Sequence, residues 1–195
     1  EGWSPTLFLG PMFKGKTLGI IGTGRIGTRV AEIAKGFGMK VIYNDIERNK
    51  ELEKKTKAKF KKEKKALLKE ADFVSIHVPL LKSTRHLLKA ADFKAMKKTA
   101  YLVNTSRGPV IDEKALTIAL ERGDIAGAGL DVYECEPAID CDLTDTHALR
   151  KLSNTVLTPH TASATIEARS EMAELAAKNV IAALKGKKPK NLVKA

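Results

Sequence analysis

Cysteine is scarce in this 195-residue sequence, which has only Cys135 and Cys141. Two thiols cannot build a disulfide framework, so the expectation is a reducing compartment, the cytoplasm, with both thiols free. Aromatic residues make up 5% of the chain against 43% hydrophobic residues overall; such a chain builds a core of aliphatic side chains. No apolar run approaches the roughly 20 residues that a membrane-spanning helix needs, and no membrane partner is expected. Neither an initiator methionine nor a signal peptide precedes Glu1-Gly2-Trp3, and the chain reads as a piece of something longer. No metal centre is expected. Acidic residues are also in short supply: 23 against 35 basic ones, a net charge of +12. Half of that excess lies between Glu47 and Glu70, where eleven Lys or Arg face five Glu. More sits in the tail "KGKKPKNLVKA". Neither stretch interleaves aromatics with its cations or matches a nucleic-acid motif. The mixed signs suit solvated helices with i,i+4 pairs, and no nucleic-acid partner is expected.

What is present is an alternation of short apolar runs with helical patterns. The strand-like runs are Thr17 to Gly22, Lys40 to Asn44, Phe73 to Val78, Ala100 to Asn104, Ile125 to Val132 and Asn154 to Pro159. Helical spacing covers Arg25 to Phe37, Ala90 to Met96, Asp112 to Arg122 and Ala164 to Leu184. Asp112 is placed to cap its helix and Gly123 to stop it. The fold class expected is α/β: a doubly wound parallel sheet of Rossmann type with helices on both faces. Residues 1–15 read as an entry arm, 16–163 as the dinucleotide-binding domain and 164–195 as a C-terminal helix and tail.

Gly22, Gly24 and Gly27 form G-x-G-x-x-G between a strand and a helix. Gly22 permits the sharp turn, Gly24 lets backbone approach a pyrophosphate, and Gly27 lets the helix pack close to the sheet. The backbone amides of Arg25 and Ile26, at the helix N-terminus, are expected to face the diphosphate. Asp45, eighteen residues past Gly27 at the end of the second strand, suits both adenosine ribose hydroxyls. A carboxylate there repels a 2′-phosphate, which favours NAD over NADP. Arg48 and Lys50 lie close by and work against that preference.

Ligands of open α/β sheets bind beyond the carboxyl ends of the strands. Arg107, Glu136, His77 and His160 all follow strand runs; His86 and His147 fall in polar segments and are expected to be solvent-exposed. An Arg fork binds a carboxylate and polarises a neighbouring carbonyl. A His donates a proton to a developing alkoxide near neutral pH, and a Glu orients that imidazole and stabilises its charged form. Beside a nicotinamide, Arg107, Glu136 and His160 make a 2-keto acid reductase.

At these residues the sequence resembles the D-isomer-specific 2-hydroxyacid dehydrogenase family, over nearly the whole chain. The segments are "GKTLGIIGTGRIG", "ADFVSIHVPLLKSTRHLL", "MKKTAYLVNTSRGPVIDEKALTIAL", "IAGAGLDVYECEP" and "NTVLTPHTASAT". The resemblance implies hydride transfer from NADH to a keto carbon, with Arg107 binding substrate, Glu136 as the acid and His160 as the acid–base group. It implies that Asp131 holds the nicotinamide carboxamide, that Val78 and Pro79 line the adenosine side, and that Thr105 and Ser106 lie close to the cofactor. The arm and tail resemble the glyoxylate and hydroxypyruvate reductase branch. An alternative within the superfamily is a NAD-sensing corepressor-like module. Family members have two lobes, and the part that builds most of the substrate lobe is not present before Glu1. Cofactor binding is therefore expected of this piece, with little or no turnover alone. The family pairs through its cofactor domains, so a homodimer is the expected assembly.

Overall fold

The computed structural model describes residues 9–136 and 148–193. The chain divides into two compact units, Glu1–Pro159 and His160–Ala195. In the first unit the order is β1 (Thr17–Ile21), α1 (Arg25–Gly36), β2 (Lys40–Asn44), α2 (Lys50–Thr56), β3 (Lys59–Phe60), α3 (Lys64–Glu70), β4 (Phe73–Ile76), α4 (Ala90–Phe93), β5 (Tyr101–Asn104), α5 (Glu113–Glu121), β6 (Gly127–Leu130) and β7 (Thr155–Leu157). These strands form one parallel sheet in the order β3-β2-β1-β4-β5-β6-β7. The chain winds outward from β1 to β3, returns, and winds the other way from β4. The switch point is the crevice between β1 and β4.

Strand periodicity assigns the core. Leu18 and Ile20 of β1 and Val41 and Tyr43 of β2 pack with Ala31 and Ala34 of α1 and Leu52 of α2. Their alternates Ile21 and Ile42 join Val74, Ile76, Leu102 and Leu130 against Leu67, Leu68, Phe93 and Leu116. Burial on both faces is what a sheet flanked by helices requires. Gly19 shows how closely α3 sits: a Cβ there meets Leu67 Cδ2 at 2.6 Å.

The lysine-rich stretch forms α2, β3 and α3 around three buried leucines, with Glu51 and Lys55 paired at 2.8 Å. β3 carried no sequence signal, because two residues are too few to show alternation. Asp112 caps α5 by accepting from the Ala115 N–H at 2.9 Å, and Gly123 follows that helix at φ +67°.

The expected strands ran too far at their carboxyl ends. His77, Val78, Asp131, Val132, Thr158 and Pro159 lie past the paired strand residues, with the His77, Asp131 and Thr158 N–H groups making the last bonds, to the Ile21, Asn104 and Leu130 carbonyls. Asn44 is registered with Ile21, Ile21 with Ile76, Ile76 with Asn104, Asn104 with Leu130, and Leu130 with Leu157. One paired row therefore crosses six strands. The residues one step beyond it are Asp45, Gly22, His77, Thr105, Asp131 and Thr158, which together form the rim of the sheet.

The second unit holds α6 (Ile166–Leu184), capped by Thr165, whose hydroxyl accepts from the Ala168 N–H. Its apolar residues Met172, Leu175, Ile181 and Leu184 are exposed. Asn191 pairs with Asn179 and ties the following turn to the helix.

Candidate functional site

The glycine turn stands at the switch point. Gly22 has φ +91°, and a Cβ there lies 2.7 Å from the His77 carbonyl oxygen and 2.8 Å from Val78 Cγ1. Gly27 is equally constrained, since its Cβ would sit 2.0 Å from the Gly22 carbonyl oxygen. Gly24 differs: nothing lies within 4 Å of a Cβ built on it, and its φ is −65°. Neither packing nor backbone geometry within the chain calls for glycine at this position.

Gly24 is the N-cap of α1, with no side-chain cap and no acid in the first turn. The first ladder bond runs from the Thr28 N–H to the Gly24 carbonyl at 3.0 Å, so helix geometry leaves the amides of Arg25, Ile26 and Gly27 without ladder partners. Arg25 and Ile26 are exposed. Donors without a side-chain cap, the partial positive charge of the helix end, and open space at Gly24 together fit a diphosphate.

Asp45 bonds the turn directly. Its Oδ2 accepts from the Thr23 N–H at 2.6 Å and the Thr23 hydroxyl at 2.8 Å, and its Oδ1 accepts from the Ile46 N–H at 2.7 Å. A carboxylate offers about four acceptor sites, so one remains here, on Oδ1, for a ribose hydroxyl. Arg48, read from sequence as working against NAD, is engaged: its Nε and Nη2 reach Glu53 at 2.7 and 3.0 Å. Asn49 caps α2 by accepting from the Leu52 N–H, and its amide donates to the Thr23 carbonyl at 3.2 Å. Thr23 lies within "GKTLGIIGTGRIG" but was given no role there, and Asn49 lies outside the family segments, yet both hold the turn.

Beyond β4, Val78 is half-buried against Gly22 and Pro79 is exposed. His77 is bonded to Ser75 at 2.8 Å, and burial pushes its pKa down.

Past β5, Asn104 organises the Thr105–Arg107 loop. It is buried; its Oδ1 accepts from the Ser106 N–H and hydroxyl at 3.0 and 2.8 Å, and its amide donates to the Arg107 carbonyl at 3.0 Å. A carboxamide closing a buried strand was the available signal, and sequence reasoning passed over it. Thr105 and Arg107 are exposed and Ser106 is half-buried. Gly108 fixes the loop against the next one, since a Cβ there would lie 1.8 Å from the Tyr133 carbonyl carbon. Glu134 and Glu113 complete the stitch, each carboxylate accepting the other's backbone N–H, at 2.7 and 3.3 Å.

Asp131 is buried past β6 and accepts from the Thr158 hydroxyl at 2.5 Å. Glu136 is exposed and accepts from the Tyr133 N–H at 3.2 Å. The packed Gly108–Tyr133 contact thus joins the loops that carry Arg107 and Glu136. His160 opens the second unit, exposed and at φ +54°.

Two expectations are corrected. His86 is not a free surface histidine: it is half-buried at φ +49°, and its Nε2 bonds Glu134 at 2.5 Å. The polar sequence around it hid a carboxylate 48 positions away. Cys135 is disulfide-bonded rather than a free thiol. Cys141, His147 and Pro137 lie outside the described residues, as does most of the entry arm. Among the described residues no group of three or more His, Cys, Asp or Glu is placed to hold a metal ion, and no helix is long and apolar enough to cross a membrane.

A parallel sheet with a glycine turn at its switch point and an acid on the neighbouring strand end defines a dinucleotide-binding domain of Rossmann type. The chain belongs to the D-isomer-specific 2-hydroxyacid dehydrogenases: residues 1–162 match the family model described as "D-isomer specific 2-hydroxyacid dehydrogenase, NAD binding domain". It is 54% identical over 192 residues to a glyoxylate reductase of Thermococcus litoralis, covering 98% of this chain and 56% of that protein. A glyoxylate reductase of Aeropyrum pernix is 51% identical with the same coverage. Among solved structures, a D-lactate dehydrogenase with NAD+ from Lactobacillus jensenii superposes with a TM-score of 0.86 at 34% identity, covering 99% of this chain and 60% of that one. A glyoxylate reductase from Paecilomyes thermophila gives 0.82 at 39% identity, covering 95% and 55%. The chain spans little more than half the length of these relatives. It is an NAD-binding domain of the family.

Proposed function

We propose that the chain is the cofactor half of an NAD-dependent reductase that converts glyoxylate or hydroxypyruvate to the 2-hydroxy acid. The observation that carries this reading is the single paired row that delivers Gly22, Asp45, Thr105 and Asp131 to one rim, beside a Gly24 that the fold itself does not need. The relatives named above are reductases and dehydrogenases, which favours the enzyme over a corepressor-like module.

When bound, NADH supplies the hydride. The Arg25 and Ile26 amides bind the diphosphate, Asp45 takes a ribose hydroxyl, and Val78 and Pro79 flank the adenosine. Thr105, Ser106 and Asp131 flank the nicotinamide side, with Asp131 accepting from the carboxamide. The Arg107 guanidinium forks onto the substrate carboxylate. His160 gives a proton to the keto oxygen as the carbonyl carbon is reduced, and Glu136 stabilises the imidazolium before transfer. Residues 16–163 act as the dinucleotide-binding domain, and 164–195 return to a substrate lobe. Such a lobe excludes water and completes the pocket, so the chain alone binds NADH with little or no turnover.

The remaining proposals are a cytoplasmic location, which rests on the need for NADH and no longer on free thiols, since Cys135 is disulfide-bonded, and a homodimer through this domain. An apolar groove of about 760 Å³ supports the second. It runs over the half of the sheet beside α1, lined by Phe13, Phe37, Phe73, Tyr101, Val103 and Val156.

Titration with NADH, followed by its fluorescence, tests the cofactor site. Joining the chain to the substrate lobe of the T. litoralis relative and assaying glyoxylate, hydroxypyruvate and pyruvate tests the chemistry. Failure to reduce any of the three, with NADH binding intact, would refute the enzyme reading. Sedimentation equilibrium with a single species at 21.2 kDa would refute the dimer.

A further inference from the structure

The segment between β2 and α2 carries a second feature besides Asp45. Arg48 lies three residues beyond that acid, on the same connection. In dinucleotide-binding domains an arginine near this strand end is the group that accommodates a 2′-phosphate. Here that arginine is committed elsewhere. Its Nε and Nη2 meet the two oxygens of Glu53 at 2.7 and 3.0 Å, a fork-on-fork pair. The Arg48 side chain is 60% exposed and Glu53 only 18%, so the carboxylate is the fixed member.

What fixes it is the core. Glu53 Oε1 also accepts from the Tyr43 hydroxyl at 2.7 Å, and Tyr43 is fully buried. The same hydroxyl oxygen accepts from the Asn49 N–H at 2.9 Å. Burial, then the bond to Glu53, pushes the Tyr43 phenol up to about 12, which keeps it a donor. The bonds from Arg48 and Tyr43 hold the Glu53 carboxyl below its ordinary range, so it is charged at neutral pH.

We propose that Glu53 is a specificity-determining positioning residue that discriminates against NADP by sequestering Arg48. The inference rests on the cofactor-site reading above and deepens it. With Glu53 in place, the guanidinium edge that best matches phosphate is occupied and its charge is cancelled. A 2′-phosphate then meets the Asp45 carboxylate and a neutral Arg48–Glu53 pair, and no unpaired arginine on this connection. Lys50 remains nearby, but as a point charge without the planar fork.

The experiment compares NADH and NADPH dissociation constants for the full chain and three variants. Glu53→Gln keeps an oxygen for Tyr43 while removing the charge that holds Arg48. Its NADPH affinity rises about tenfold, the scale of one charge-assisted bond, while NADH affinity stays within about twofold. A merely structural role moves both constants together. Adding Arg48→Met to Glu53→Gln abolishes the gain, and the gain shrinks with added salt. Arg48→Lys alone, which keeps a charge for Glu53 but not the planar fork, leaves NADPH binding unchanged, which tests the sequestration even if Glu53→Gln folds poorly. An unchanged NADPH-to-NADH ratio in Glu53→Gln, or a loss of NADPH affinity in Arg48→Lys alone, overturns the proposal while leaving the cofactor site standing. Failure of the unsubstituted chain to bind NADH overturns the cofactor-site reading, and this proposal with it.

Discussion

Gly24 and Gly27 belong to one motif, but the structure gives them different work, and a single added methyl separates the two. At Gly27 the new Cβ sits 2.0 Å from the Gly22 carbonyl oxygen, against 3.4 Å for ordinary contact, so helix and turn must part by about 1.4 Å. Both neighbours are backbone, and no side chain can swing aside. Overpacking of this kind costs about 1–3 kcal/mol; in a chain of this size that lowers Tm by roughly 5–10 °C for the upper part of the range. At Gly24 the Cβ enters open space from an extended φ of −65°. The cost is that of alanine at an N-cap, about 0.5–1 kcal/mol, and Tm falls by no more than roughly 3 °C. NADH binding ranks the two otherwise: the Gly24→Ala methyl stands where a pyrophosphate must approach, so NADH affinity drops at least about tenfold in a chain that still melts normally. The assay is a fluorescence titration with NADH beside a thermal melt. A Gly24→Ala variant with unaltered NADH affinity would remove the physical basis for the cradle. So would one that loses as much stability as Gly27→Ala, since Gly24 would then be structural.

Asn104→Ala removes three hydrogen bonds from the Thr105–Arg107 loop and is expected to cost about 2–3 kcal/mol in urea unfolding; a loss under about 0.5 kcal/mol would show that water replaces the amide. Asp45→Asn weakens NADH binding and narrows the gap to NADPH, because the variant carries no charge to repel a 2′-phosphate; a gap that widens contradicts the role of Asp45. His77 has its pKa lowered by burial from 6.5, so the unfolded chain binds a proton before the folded one does. Stability is therefore full above pH 6.5 and declines as pH falls below it. His77→Gln should flatten the urea midpoint between pH 5 and 7, roughly the window in which an unfolded imidazole titrates; an unchanged slope would assign the effect to other groups.

The sequence held the order of the sheet in outline. Apolar runs such as "TLGII" and "YLVN" are flanked by helical patterns, and only a parallel sheet with crossovers satisfies that alternation. It did not hold the strand ends. "FVSIHV" and "GAGLDV" stay apolar past the paired residues because Val78, half-buried, covers Gly22 and Val132 is buried beyond β6. Nor did it reveal β3, whose pairing with β2 depends on α2 and α3 having docked. The glycine turn and Asp45 were legible because their spacing is local. The bonds that aim them were not, since Thr23 meets Asp45 22 positions away and Asn49 26 positions from Thr23. His86 was misread for the same reason, its partner being 48 positions distant.

By itself, the order of residues determined what the backbone does over a turn or two: where φ must be positive, where a helix starts at Asp112 or Gly24, and which faces are apolar. Register decided the rest. Only when six strands align on one row do Gly22, Asp45, Thr105 and Asp131 reach a common rim, and only then does Gly108 press the Arg107 loop onto Tyr133. The Arg48–Glu53–Tyr43 chain of bonds is likewise invisible in one dimension, because an arginine five residues before a glutamate pairs with it only once a buried tyrosine has fixed where that carboxylate stands.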